Sequence, residues 1–370
     1  MKGESPRSKR WVIKLGTSIL TDESGDFSVP VLERIVNQLV ALLEKGYEVI
    51  LVSSGAIALG METMNFEKRP KALPGLQACA AIGQGKLMKA YETAFSTRGY
   101  HSAQILLTRD GLENRERYVN AKNTINALLK MGAVPIVNEN DTVATEEIKF
   151  GDNDTLGAQV ANMVEADLLI FLSDIEGFYT KDKMLVRHIY SLEELKEYMS
   201  HIYVKKNEKT AGGMKTKLNA AKVAMTSGIP IVLTNGRDEE VFEKIVKGEE
   251  VGSLFHPTVS KTSARKKWLA HSASVKGKVF VDDGAYQALV KSKKSLLPGG
   301  VVSCSGGFEV GDRVELVNQK GEVFATGLIN YSREEVNKIK GRKTSQVVDS
   351  LGYKRTDELI HRDNLAVLSI

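Results

Sequence analysis

The sequence predicts an α/β protein: a mostly parallel sheet sandwiched by helices, followed by a small β-rich C-terminal domain. Three observations predict it. Apolar strands alternate with amphipathic helices over residues 1–255, the pattern of a parallel sheet covered on both faces. The strand at 167–172 is near-continuously apolar, as a strand buried on both faces must be. After Trp268 the pattern changes to short β segments punctuated by glycine.

The elements follow in order. Residues 11–15 form the first strand, and Gly16-Thr17-Ser18 turn out of it. Gly16 permits close backbone approach, and Thr17 and Ser18 offer hydroxyls and N–H groups. Lys14 is a cation on an inner strand, where a charge is hard to leave unpaired. Residues 29–44 make an amphipathic helix with Val31, Ile35, Leu39, Leu42 and Leu43 on one face. The second strand, 48–53, runs into Ser53-Ser54-Gly55-Ala56, small residues that leave room for a ligand at a helix start. A plain N-cap serine is compatible with that reading. Residues 78–91 form a helix rich in small residues, packed closely on a neighbour. Its Gly83-Gln84-Gly85-Lys86 resembles the end of a Walker A loop. It lacks a preceding strand, a glycine at 80 and a hydroxyl residue after Lys86, so it is read as structural.

A third strand at 102–107 and a charged helix at 114–130 lead to the fourth strand, 134–137. It ends in Asn138-Glu139-Asn140-Asp141, and a second polar cluster, 151–155, opens the helix at 156–164. Asn, Asp and Gly fill ordinary turns for local reasons. Two such clusters flanking one loop at the carboxyl edge of a sheet point instead to a ligand. The fifth strand ends in Ser173-Asp174 and an acidic, glycine-containing turn with Phe178 and Tyr179, able to frame a nucleotide or merely to stiffen a loop. Residues 211–217, Ala-Gly-Gly-Met-Lys-Thr-Lys, open a helix at 218–226. Lysine in a first turn opposes the helix dipole, which suggests an anion there. The sixth strand is 229–233. Residues 252–267, with Pro257 and Arg265-Lys266-Lys267, read as a boundary. The domains are placed at 1–260 and 275–370, with a linker at 261–274. In the second domain β segments fall at 275–281, 300–304, 313–317 and 322–329, with helices at 284–291 and 332–339.

Of 370 residues, 42% are hydrophobic and 26% charged, the balance of a soluble globular protein. No apolar run reaches the length of a membrane span, and the opening MKGESPRSKR is followed by no signal-peptide core. Cys79 and Cys304 lie far apart without metal-type spacing, which fits a cytoplasmic, reducing setting. The net charge of +5 is uneven. Residues 262–370 carry 18 Lys and Arg against 12 Asp and Glu, and the remainder carries 33 against 34. A basic C-terminal third suits either a nucleic-acid surface or a solvated face.

There is no nucleophile with its base, no GxSxG elbow, no CxxC pair, no GxGxxG fingerprint and no His-based metal set. Two separated lysines, glycine-rich helix starts and Asp/Asn clusters suit phosphoryl transfer, which needs positioning and charge neutralisation more than covalent chemistry.

The segments VIKLGTSIL, ILVSSGAIALG, VPIVNENDTVATEEIKFGDNDTL, LLIFLSDIEGFYT and AGGMKTKLNAA, in this order, resemble the amino acid kinase family, and within it the branch that phosphorylates glutamate. SLLPGGV and LGYKRTDELIHRDN resemble the PUA module attached to many members of that branch. The resemblance implies an amino acid kinase fold and transfer of the γ-phosphoryl group of ATP, with Mg²⁺, to the γ-carboxylate of L-glutamate, the first step of proline biosynthesis. It implies that Lys14 and Lys217 neutralise the phosphates and Asp154 orients them. Ser54, Asp141 and Asn153 would bind glutamate. Ser173, Asp174, Ala211, Gly212, Gly213, Met214, Lys215, Thr216 and Lys217 would bind the nucleotide. No side chain is assigned to a metal. Residue 211 is Ala where a threonine is expected, and residue 173 is Ser where threonine is common. Feedback inhibition by proline, a homodimer or homotetramer, and hand-over of the acyl phosphate to glutamyl phosphate reductase are further implications. The alternatives are a related kinase acting on another small acid, and an RNA-binding protein using the PUA-like domain.

Overall fold

The computed structural model describes residues 9–22, 26–144, 153–200, 213–260 and 275–368. These fall into two compact units, the second taking in 113–120, the start of one helix, with the described residues from 275 onward.

The first unit is built on an eight-stranded sheet. In chain order its elements are β1 (Arg10–Leu15), α1 (Val29–Glu44), β2 (Glu48–Ser53), α2 (Ala56–Thr63), α3 (Leu73–Ser96), β3 (Ser102–Leu107), α4 (Arg109–Glu113), α5 (Arg115–Lys130) and β4 (Val134–Glu139). There follow α6 (Asn153–Met163), β5 (Leu168–Ser173), the hairpin β6 (Phe178–Tyr179) and β7 (Leu185–Val186), then β8 (His188–Ile189) and α7 (Leu192–Ser200). The unit closes with α8 (Met214–Thr226), β9 (Ile231–Asn235), α9 (Val241–Lys247) and β10 (Ser253–Phe255). The strand order is β3-β4-β2-β1-β5-β9-β10-β8. All neighbours are parallel except β9 and β10. The chain leaves β1 toward β2 on one side and later fills β5 on the other. The carboxyl end of β1 is therefore the point where strand order reverses, the position at which open α/β sheets bind ligands.

Alternation along β1 decides which side chain reaches that point. Trp11, Ile13 and Leu15 join one hydrophobic cluster with α1 residues such as Ile35 and Leu39 and α3 residues such as Tyr91 and Phe95. Lys14 must then face the opposite side, where its stem lies against Gly157 of α6. Helices α2 and α3 pack backbone to backbone. A Cβ on Gly83 would fall 1.8 Å from the Ala56 carbonyl oxygen, and one on Gly60 would fall 1.8 Å from that of Cys79. The small residues of α3 thus serve a close helix crossing, as the sequence suggests, and α3 is longer than the 78–91 expected.

The second unit is a five-stranded sheet, β12 (Val301–Gly306), β11 (Gly277–Val281), β13 (Arg313–Val317), β14 (Val323–Leu328) and β15 (Leu365–Val367), in that spatial order. Its core gathers Val279, Leu316, Phe324, Tyr331, Val336 and Ile360. Short helices at Asp283–Val290 and Arg333–Ile339 are capped by Asp282 and by a Ser332/Glu335 capping box.

Some element bounds differ from the sequence expectation. β10 lies inside the stretch 252–267 and pairs antiparallel to β9. The helix expected at 156–164 starts at Asn153, so Asn153 and Asp154 stand in its first turn. The helix expected from Leu218 starts at Met214, so Lys217 is its fourth residue, within the first turn.

Candidate active site

Six parallel strands end side by side, and side chains at the ends of β1, β2 and β4 meet the first turn of α6, which meets that of α8. Asp154 is the second residue of α6, where a carboxylate is favoured by the helix dipole. It is 2% exposed and lies between two lysines. Lys14 Nζ, on a residue 6% exposed, is 2.6 Å from Asp154 Oδ1. Lys217 Nζ, from the first turn of α8, is 3.3 Å from Asp154 Oδ2. The Thr216 hydroxyl donates to the same Oδ2 at 2.8 Å. Burial alone would push the Asp154 carboxyl up. The two lysines, with the hydrogen bonds from Lys14 and Thr216, more than offset this and hold it below the ordinary carboxylate range. The two lysines thus share one carboxylate in a buried place, with two helix N-termini adding positive potential.

Beside this cluster lies a chain of amides. Asn153, the first residue of α6 and 8% exposed, shares the two hydrogens of Nδ2 among three acceptors, Ser54 Oγ at 2.9 Å, Asn138 Oδ1 at 3.0 Å and the Ser53 carbonyl at 3.2 Å. Asn138, at the end of β4, also accepts from the Glu139 N–H at 2.9 Å and donates from Nδ2 to Gln84 Oε1 on α3 at 2.8 Å. Ser53 Oγ is 2.8 Å from the Tyr91 hydroxyl, which burial pushes well above its ordinary value. Ser54 is held by its N–H to the Leu15 carbonyl at 3.1 Å, and Gly55, at φ +108°, makes the turn into α2 with backbone that only glycine adopts readily.

Asp141 sits in the turn after β4, half-buried, its carboxyl pushed up by burial to about 6 while the Arg69 charge pulls against that. Ser173 is buried at the end of β5, its hydroxyl donating to Asp174 Oδ1 at 3.1 Å, and Asp174 is exposed. Gly213 caps α8, and Met214, Lys215, Thr216 and Lys217 form its first turn. Ala211 and Gly212 lie outside the described residues.

The structure thus brings Lys14, Asp154 and Lys217 into contact, and Ser54 with Asn153. It also gives Thr216 a bond to Asp154. Sequence reasoning missed Asn138 as a link to Asn153, although Asn138 stands in the quoted strand-end cluster. It missed Gln84, whose bond to Asn138 spans 54 residues of sequence.

Residues 9–235 match the amino acid kinase family and residues 277–351 match the PUA domain. Glutamate 5-kinase of Caldanaerobacter subterraneus subsp. tengcongensis is 48% identical over 363 residues, covering 97% of this chain and 98% of the relative. Glutamate 5-kinase of Carboxydothermus hydrogenoformans is 48% identical over 365 residues, covering 97% and 98%. That of Nitrosococcus oceani is 42% identical over 365 residues, covering 98% and 97%.

Proposed function

The chain belongs to the amino acid kinase family, in the branch of its glutamate 5-kinase relatives, and from that premise we propose that it phosphorylates the γ-carboxylate of L-glutamate with ATP. The observation that carries the reaction class is the buried lysine–carboxylate–lysine cluster at the carboxyl end of the sheet.

The attacking group is a carboxylate with an ordinary pKa of about 4.3, ionised at pH 7, so no general base is needed. One of its oxygens forms a bond to the γ-phosphorus, the bond from that phosphorus to the β,γ-bridging oxygen breaks, and ADP leaves with the electron pair. Both reactants are anions, so the barrier is largely electrostatic. Lys14 and Lys217 place positive charge where negative charge develops in the transfer, while Asp154 holds both ammonium groups ready in a buried place. The first turn of α8, from Gly213 to Lys217, supplies N–H groups for the nucleotide phosphates. Ser173 and Asp174 at the end of β5, with 211 and 212, complete the nucleotide side. Ser54, Asn153 and Asp141 take glutamate, with the Asp141 carboxylate facing its ammonium.

Among the described residues no three His, Cys, Asp or Glu side chains are gathered for a metal ion, and Asp154 is already shared by two lysines. Mg²⁺ is assigned to the phosphates of the incoming nucleotide. No described helix is long and apolar enough to cross a membrane. A cytoplasmic setting, a homodimer or homotetramer, competition by proline at the glutamate pocket and passage of the product to a glutamyl phosphate reductase belong to the same proposal. The 1–260, 261–274 and 275–370 division does too.

The test is release of ADP from ATP and Mg²⁺ with glutamate, aspartate or N-acetylglutamate as acceptor. Release that depends on glutamate alone is expected. Release with another acid in its place would move the assignment to a different acceptor.

A further inference from the structure

Gln84 of α3 is the residue that the proposed chemistry does not use, yet it stands at the end of the hydrogen-bonded chain leading to the acceptor side of the site. Both middle amides have their orientation fixed by backbone groups of invariant polarity. The Glu139 N–H can only donate, so the atom of Asn138 that it meets at 2.9 Å must be the oxygen. The Ser53 carbonyl can only accept, so the atom of Asn153 that it meets at 3.2 Å must be the nitrogen. Asn138 is therefore left with its Nδ2 facing α3, where Gln84 Oε1 accepts at 2.8 Å. At the other end, Asn153 Oδ1 is buried and has no hydrogen-bond partner among the described residues. Gln84 Nε2 is likewise buried and unpartnered there, so among the described residues Gln84 is engaged only as an acceptor.

We infer that Gln84 is a positioning residue for the acceptor substrate. Through Asn138 it holds the Asn153 amide so that Oδ1 is presented as a bare acceptor to the substrate ammonium. The inference rests on the glutamate-kinase reading above and deepens it. A buried acceptor needs a donor, and L-glutamate at pH 7 offers one strong donor group, its α-ammonium, beside two carboxylates that only accept. An Oδ1 without a protein donor gains a strong, charge-assisted hydrogen bond when an ammonium arrives. That selects amino acids over the corresponding diacid. Without Gln84, the Asn138 amide, 2% exposed, keeps an unsatisfied donor and loses the partner that fixes one end of the chain. The position of Gln84 is itself set by its neighbour Gly83, which seats α3 directly on the Ala56 carbonyl at the start of α2.

The test compares Gln84→Glu with Gln84→Met in the full chain, using glutamate and glutarate as acceptors. Glutamate-dependent turnover by the unmodified chain comes first; its absence would remove the kinase reading itself, whatever the variants do. Given that turnover, Gln84→Glu keeps an acceptor for Asn138 and should retain KM for glutamate within about threefold. Gln84→Met keeps the volume but not the acceptor. Its KM for glutamate should rise about tenfold, with KM for ATP unchanged, and its preference for glutamate over glutarate should fall in proportion. A half-buried packing position would give the opposite order, because Met fills the space and Glu buries a charge. Equal KM for glutamate in all three proteins, or Met better tolerated than Glu, would overturn the inference while leaving the kinase reading intact. If Gln84→Met does not fold, the Gln84→Glu protein decides alone: a tenfold rise in its KM for glutamate would be the contradicting result.

Discussion

Replacing Asp154 by Asn removes the one charge shared by the two lysines while keeping the shape. The Thr216 hydroxyl still finds an acceptor in the amide oxygen, so the change isolates the ion pairs from the hydrogen bond. Lys14 is 6% exposed, with its stem packed on Gly157. Breaking a buried pair by removing one partner costs about 3–5 kcal/mol, because the remaining charge is left uncompensated. In a domain of this size each kcal/mol lowers Tm by about 2–4 °C, so a fall of at least about 6 °C is expected in thermal unfolding. Saturating ATP should recover more of that loss in the variant than it adds to the unmodified protein, since phosphate oxygens take the place of the carboxylate. The pH dependence has a definite sign. The Asp154 carboxyl is depressed, so its contribution is fully present above the ordinary value of 3.8 and is lost only as pH falls below it. The difference in stability between variant and unmodified protein should therefore be the same at pH 6 and pH 8. A Tm within about 2 °C of the unmodified protein, the range of exposed pairs, would refute the buried triad.

Other outcomes follow from the same geometry. Lys217→Ala should lower kcat about 100-fold or more, because it removes charge aimed at the transferring group, with a smaller fall in Tm than Asp154→Asn, since Asp154 keeps Lys14. The Asp141 carboxyl, raised to about 6, must be ionised to hold an ammonium. KM for glutamate should thus rise as pH falls through 6, by about tenfold between pH 7 and pH 5, and Asp141→Asn should abolish that dependence. Gly83→Ala would put a Cβ 1.8 Å from a backbone oxygen. Helices α2 and α3 must then separate, and urea unfolding should show a loss of at least about 1–3 kcal/mol, with glutamate binding weakened through Gln84.

The strands were legible because inner parallel strands are apolar throughout and end abruptly in polar turns, as in 168–173. The site's position was legible for the same reason: Lys14, Ser54, Asp141 and Ser173 stand at successive strand ends. Elements set by pairing rather than by period were not. Strands β6, β7 and β8 are two residues each, and β10 is three, too short for an alternation to show. Helices α7 and α9 escaped because short helices carry little periodic signal. The Gln84–Asn138 bond was not legible either, since no local pattern says which helix face meets a strand end 54 residues away. The glycines that force that meeting, Gly60 and Gly83, read only as small residues until the α2–α3 crossing shows what each Cβ would strike.

The most direct measurement is a hydroxylamine trap. The protein is incubated with ATP, Mg²⁺ and hydroxylamine, and hydroxamate is followed with glutamate, N-acetylglutamate or aspartate as acceptor. An acyl phosphate formed on a carboxylate reacts with hydroxylamine, so hydroxamate from glutamate alone, lost in Lys217→Ala, is the expected result. Folded protein that gives no hydroxamate from any of the three acids would contradict the assignment of this site as a carboxylate kinase.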